Sequence, residues 1–283
     1  MTPGTQNWKL IVAYDGTDFR GWQVQPGQMT VQGELQAALG RVTGENPLPQ
    51  GSGRTDAGVH ALAQAASFAL QAGIPPENLL LALNRTLPDS IRVVSAVHVP
   101  ADFHARHSTI AKTYEYRVFV ERRAGEPRRI CPPFLARYVY SYPWPLSLAA
   151  LNDAAQRFVG THDFLSFAAT DPDASSRDQS TRSEESAIED EDGEPQKNTI
   201  RTIWGSGWHE QQTPDGNLLV YRVRGSGFLH HMVRNLVGTM LDAGRGYTPA
   251  EAIPEMIAAR ARAAAGPTAP ARGLFLHSVE YPE

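Results

Sequence analysis

The chain has 283 residues, 41% of them hydrophobic, enough to bury the core of one large domain or of two modest ones. A single cysteine, Cys131, excludes a disulfide framework and a zinc cluster of thiolates; the absence of a basic leader or a membrane-length apolar run points to the cytoplasm and away from a membrane. The net charge of -4 argues at first against a nucleic-acid partner, but residues 171 to 199 hold ten acids against three bases, leaving 23 bases and 20 acids elsewhere, which is compatible with local patches that bind RNA.

Trp8 to Tyr14 is rich in β-formers and is closed by Asp15-Gly16, so it reads as a strand. Val31, Leu35, Ala38, Leu39 and Val42 recur at helical spacing between a Thr30 cap and Gly44. Ala65 to Leu70 reads as a strand, Pro75-Pro76-Glu77 opens a helix through Leu83, and Arg92 to Val99 alternates into another strand. A second round begins with the strand Thr113 to Val120, followed by a helix marked by Leu148, Leu151, Ala155, Phe158 and Val159 and stopped by Gly160. Arg201 to Trp208 and Leu218 to Val223 are strands, and Leu229, Met232, Val233, Leu236, Val237, Met240 and Leu241 stripe a helix ended by Gly244. Thr248-Pro249-x-Glu251 is a capping box whose helix Pro254 should kink or shorten, and Leu274 to Tyr281 closes the chain as a strand. The expected class is α+β, in two similar halves, 1–105 and 106–283, each a mainly antiparallel sheet backed by helices. Residues 171–199, almost free of large apolar side chains, read as a flexible acidic insertion.

The chemistry concentrates in Gly51 to Ala61. Its three glycines allow a tight loop that presents one side chain, and Asp56 is the chemically capable one. Such a loop also reads as a turn whose aspartate caps amides; it does not read as a phosphate loop, since neither a third fingerprint glycine nor Gly-Lys-Ser/Thr follows. Tyr114 and Tyr116 share one face of their strand, where most tyrosines are half-buried packing residues. Arg234 flanks the apolar stripe of its helix, either lying along the surface or directed at a carboxylate. His104 and His107, and the adjacent His230 and His231, lack a carboxylate or thiol spaced to complete a metal site, so no metal is expected.

Gly53-Arg54-Thr55-Asp56-Ala57-Gly58-Val59-His60-Ala61 resembles the active-site signature of the tRNA pseudouridine synthase A family. Four further stretches, in the family's order, resemble its other motifs: Tyr14-Asp15-Gly16-Thr17-x-Phe19-x-Gly21-Trp22-Gln23; Phe103-His104-Ala105-Arg106 with Lys112-Thr113-Tyr114; Gly227 to Asn235; and Ala265 to Leu274. The acidic insertion departs from the pattern. The resemblance implies a cleft between the halves in which Asp56 is the catalytic carboxylate and Arg234 its partner. Tyr114 is implied to stack on the target base and Leu274 to line the uracil pocket; Arg54 is placed by the sequence to contact phosphate or hold the flipped nucleotide's place, His104, His107, His230 and His231 read as phosphate or base contacts, and Arg106 as a substrate-binding residue. It further implies isomerisation of uridine to pseudouridine at positions 38, 39 and 40 of the tRNA anticodon stem-loop, by a homodimer that tRNA spans, without cofactor. Two other classes stand beside it: a non-catalytic RNA-binding protein, which would not need Asp56, and a nucleosidase, which would need a second carboxylate, for which Asp15 and Asp18 in another loop are the nearest candidates.

Overall fold

A computed structural model describes residues 4–123, 125, 127–169, 198–213 and 217–282. All of the acidic stretch but Asn198 and Thr199 falls outside these, so the expectation of flexibility there lies beyond what is described. Contacts divide the chain into two units, one running to Thr113 and taking Phe275 onward, the other comprising Tyr114–Leu274. The first unit therefore holds residues 106–113 and the last strand, both of which the sequence reading placed in the second half.

In the first unit, strand β1 (Gln6–Tyr14) buries Trp8, Leu10, Val12 and Tyr14 at alternate positions, the period of a strand with one face on the core. Helix α1 (Val31–Thr43) begins where Thr30 accepts a bond from the Gly33 amide and ends at Gly44 in the left-handed conformation, so its caps lie where the sequence placed them. After β2 (Gln50–Gly51) comes the long strand β3 (His60–Leu70), then α2 (Pro76–Thr86) with proline in its first turn, and β4 (Ile91–Val99). The sheet order is β4, β1, β3 and the terminal strand β10 (Leu274–Glu280), with β2 pairing β3 alongside. The β1–β3 and β1–β4 pairs are antiparallel, whereas β10 lies parallel to β3, with Phe275 opposite His60. Leu35, Leu39, Leu79 and Leu83 of the two helices are fully buried.

In the second unit the order is β5 (Ala111–Val120), β9 (Leu218–Gly225), β8 (Ile200–Gln211) and β7 (Gly160–Asp163), with the short β6 (Tyr140–Tyr142) parallel to β5. A four-residue helix, α3 (Pro133–Ala136), precedes β6, and α4 (Leu148–Gln156) follows it. Ser206, Trp208, Tyr221 and Val223 share one buried face of the β8–β9 pair, and there the Trp208 indole donates to Met240 Sδ (3.3 Å) of helix α5 (Met232–Gly244). Each unit is thus a mainly antiparallel sheet backed by helices, as the patterning predicts.

Strands β3 and β8 and helix α2 run longer than the sequence reading has them, and three other boundaries differ for identifiable reasons. Helix α4 ends at Gln156, because Phe158 and Val159 bond back to Ala155 and Gln156 in a tighter turn, and Gly160, at φ +119°, opens β7. Helix α5 begins at Met232 and not at Leu229, because His231 sits at φ 58°, a left-handed conformation that no helix interior accepts. The capping box at Thr248 makes no side-chain cap bond and opens only a 3₁₀ turn at Ala250–Ala252; α6 (Ile253–Ala258) is short and starts anew there, with Pro254 in its first turn, where its missing N–H is harmless.

An ion cluster around one buried carboxylate ties β5 to β9. The Glu115 carboxylate, 3% exposed, accepts from Arg117 Nε on one oxygen and from Arg222 Nε on the other, both at 2.8 Å. Burial alone would raise its pKa, but the two guanidinium groups outweigh burial and hold it below the usual carboxylate value. A depressed pKa stabilises the fold at pH above the unfolded value, and that stability is lost as the pH falls through the folded one. Thermal unfolding followed from pH 7 to pH 3 is therefore expected to fall more steeply in the native chain than in Glu115→Gln.

Candidate active site

The loop from Ser52 to Val59 carries Arg54 and Asp56 and is braced on both sides. On one side the Ser52 hydroxyl donates to Gln64 Oε1 (2.5 Å), and Gln64 Nε2 donates to the Gly53 carbonyl (2.8 Å). Gln64, fully buried in β3, thus adds a side-chain bridge across the root of the loop to the bond from the Ser52 amide to the Ala65 carbonyl (2.8 Å). On the other side the phenol of Tyr14, at the end of β1, shares a 2.7 Å bond with the Thr55 hydroxyl, while burial holds that phenol far above its ordinary pKa. The Trp22 amide donates to the Thr55 carbonyl (3.0 Å), and the Gly58 amide to the Phe19 carbonyl (3.3 Å).

Two glycines make this bracing possible. A Cβ at Gly16 would lie 1.9 Å from the Val59 carbonyl oxygen, and one at Gly21, which has φ +90°, would lie 2.5 Å from the Thr55 carbonyl oxygen. The segment from Asp15 to Trp22 is pressed backbone to backbone against the loop that holds Asp56. His60 fastens the far end: its Nδ1 accepts from the Gly16 amide (3.1 Å), lies 3.2 Å from the Asp15 carboxylate, and its ring stacks on Phe275 of β10 at 4.7 Å. Asp56 itself is partly exposed at the apex.

His104 and Arg106 lie in the same unit, in a turn at residues 101–108. His104 Nδ1 accepts from the Arg106 amide (3.1 Å), and the turn is attached to β3 by the Ala105 amide donating to Ser67 Oγ (3.0 Å). The rings of His104 and His107 lie 4.4 Å apart, tilted by 39°.

The second unit gathers the remaining three expected residues. Tyr114 is buried on β5, with the Phe228 ring edge-on at 5.2 Å. Arg234, in the first turn of α5, donates from Nε to the Ala269 carbonyl (2.8 Å), and the Ala269 amide returns a bond to the Arg234 carbonyl (3.1 Å). The next carbonyl, that of Pro270, accepts from the Tyr116 hydroxyl (2.7 Å), and Gly273 packs on the same ring, which puts Tyr116 in the core. The chain then delivers Leu274, buried, at the start of β10. Behind this, the Asn235 side-chain carbonyl accepts from Thr268 Oγ1 (2.6 Å) and from Arg262 (3.1 Å), while its amide donates to the Phe167 carbonyl (2.7 Å). Arg234 and the segment at 265–274 are thereby set by one hydrogen-bonded frame.

Reading the sequence missed Tyr14, Gln64 and Asn235 as supports. Gln64 left a signal, a glutamine inside an alanine-rich strand; Tyr14 and Asn235 left none beyond the motifs that contain them.

A family model described as tRNA pseudouridine synthase matches residues 10–108 and 154–282. The chain belongs to the tRNA pseudouridine synthase family. It is 47% identical over 273 residues to a protein of Solibacter usitatus named tRNA pseudouridine synthase A, covering 96% of this chain and 98% of the relative. A Moorella thermoacetica protein of the same name is 41% identical over 275 residues, covering 96% and 98%. The family match includes both loops of the first unit and the frame around Arg234.

Gly21 and Gly27 both have positive φ, but a Cβ at Gly27 would meet nothing within 4 Å. Gly27→Ala is expected to cost the left-handed strain alone, about 1 kcal/mol. Gly21→Ala adds the collision with Thr55 and should cost on the order of 3 kcal/mol or more. Urea unfolding of the two variants measures the difference.

Proposed function

We propose that this synthase isomerises uridine to pseudouridine at positions 38, 39 and 40 of the tRNA anticodon stem-loop, with Asp56 as the catalytic carboxylate. The observation that carries this reading is the braced loop, which exposes one carboxylate at its apex in a chain that belongs to the family. The net change breaks the bond from N1 to C1′, joins C5 to C1′, and moves one proton from C5 to N1. Nothing is oxidised and no group enters, so the reaction calls for neither cofactor nor metal.

The target uridine leaves the helix stack at a cost of a few kcal/mol. Stacking on Tyr114 offsets about 1 to 3 kcal/mol of this, while Arg54, His104 and Arg106 hold phosphates or the vacated place, and Leu274 lines the uracil pocket. Asp56 acts ionised, as a nucleophile at C1′ or C6 or as the base that removes the 2′ proton. Arg234 favours the charged carboxylate and orients it. The enzyme acts in the cytoplasm as a homodimer, with tRNA spanning both subunits.

Incubation with unmodified tRNA, followed by carbodiimide mapping of pseudouridine, tests the reading. Product confined to positions 38 to 40 is expected from the native chain. Asp56→Asn is expected to form none while binding tRNA within a few-fold of the native affinity. Near-native turnover by that variant would refute the role of Asp56, and product at other positions would refute the site.

A further inference from the structure

The face of the second unit's sheet that bears Glu115 carries a cluster that the proposed reaction does not use. Strands β8 and β9 pair in regular register except between Ile203 and Gly205, where a bulge leaves Trp204 unpaired. A bulge re-aims a side chain. Trp204 is 46% exposed, and its ring lies 4.9 Å from the guanidinium carbon of Arg224. Arg224 and Arg222 lie on one face of β9, directly opposite Gly205 and Gly207, which present no side chain to cover them. A Cβ at Gly205 would meet nothing within 4 Å. Arg222, 53% exposed, and Arg117 are held by their Nε atoms on the buried Glu115, so neither guanidinium must be ordered anew to meet a ligand.

The result is an open platform of one tryptophan and three arginines against one carboxylate, positive in a chain whose net charge is -4. We propose that this platform binds a single-stranded segment of the RNA substrate, with Trp204 stacking on an unpaired base and Arg222 contacting a neighbouring phosphate. This rests on the reading of the chain as a tRNA-modifying enzyme and extends it to a surface that no role assigned above includes. An exposed aromatic ring beside cations that track a backbone is the general solution for unpaired nucleotides. A second copy of the chain fits less well: a two-fold contact through this face would set arginines opposite arginines, and interface centres are poor in charge.

The test uses the full chain and unmodified tRNA, with filter binding measured over a range of salt concentrations. Trp204→Ala is expected to weaken binding about ten-fold and Trp204→Phe to restore most of it. Arg222→Gln is expected to reduce the slope of log K against log salt by about one. Unchanged affinity and slope in both Trp204→Ala and Arg222→Gln would overturn the proposal, as would a shift of Trp204→Ala toward monomer with undiminished tRNA binding, which would assign the face to a second copy. These failures are distinct from failure of the proposed function, which would show as absence of pseudouridine from the native chain.

Discussion

The structure around Asp56 depends on one constraint, the direct contact of two backbones. The turn after β1 reaches the Asp56 loop at Gly16 and Gly21, at distances that leave no room for a side chain. Once the backbones meet, the remaining bonds follow: Trp22 to Thr55, Gly58 to Phe19, Tyr14 to Thr55 and Gly16 to His60. A loop rich in glycine would otherwise sample many conformations. Here it is tied to the rigid strands β1 and β3, which hold the backbone that carries Asp56 in one conformation.

The second unit solves the same problem by another route. Arg234 is a long, flexible side chain, yet its Nε is anchored on a carbonyl whose own amide bonds back to the helix that bears it. Asn235, the next residue, spends both ends of its amide on holding the surrounding segments. Buried polar groups of this kind are costly unless fully satisfied, and satisfied they fix one arrangement.

Much of this was legible in the sequence, for identifiable reasons. Helix α1 announces itself through Thr30, Gly44 and a 3.6-residue apolar period, all local signals. The loop at Asp56 stands out because its residue types are unusual together. What the sequence did not disclose depends on pairing between distant segments. The left-handed His231 shortens α5 although Leu229 continues its apolar stripe. The bulge at Trp204 leaves no trace in a strand that reads as regular, since only the register with β9 reveals the extra residue. Pro254 reads as kinking or shortening a helix because proline inside a helix and proline in its first turn are indistinguishable until the boundary is known.

The parallel pairing of β10 with β3 sets the order in which the enzyme can mature. Phe275 stacks on His60, and Tyr281 donates to the Ala105 carbonyl (2.6 Å), so the strand that follows the Asp56 loop is completed by residues that are synthesised more than 200 positions later. The whole of the second unit must be synthesised before the first can close. A chain that has not yet reached β10 would hold the Asp56 motif in its sequence without the strand that stacks on His60, and the loop would gain that support only once β10 is in place.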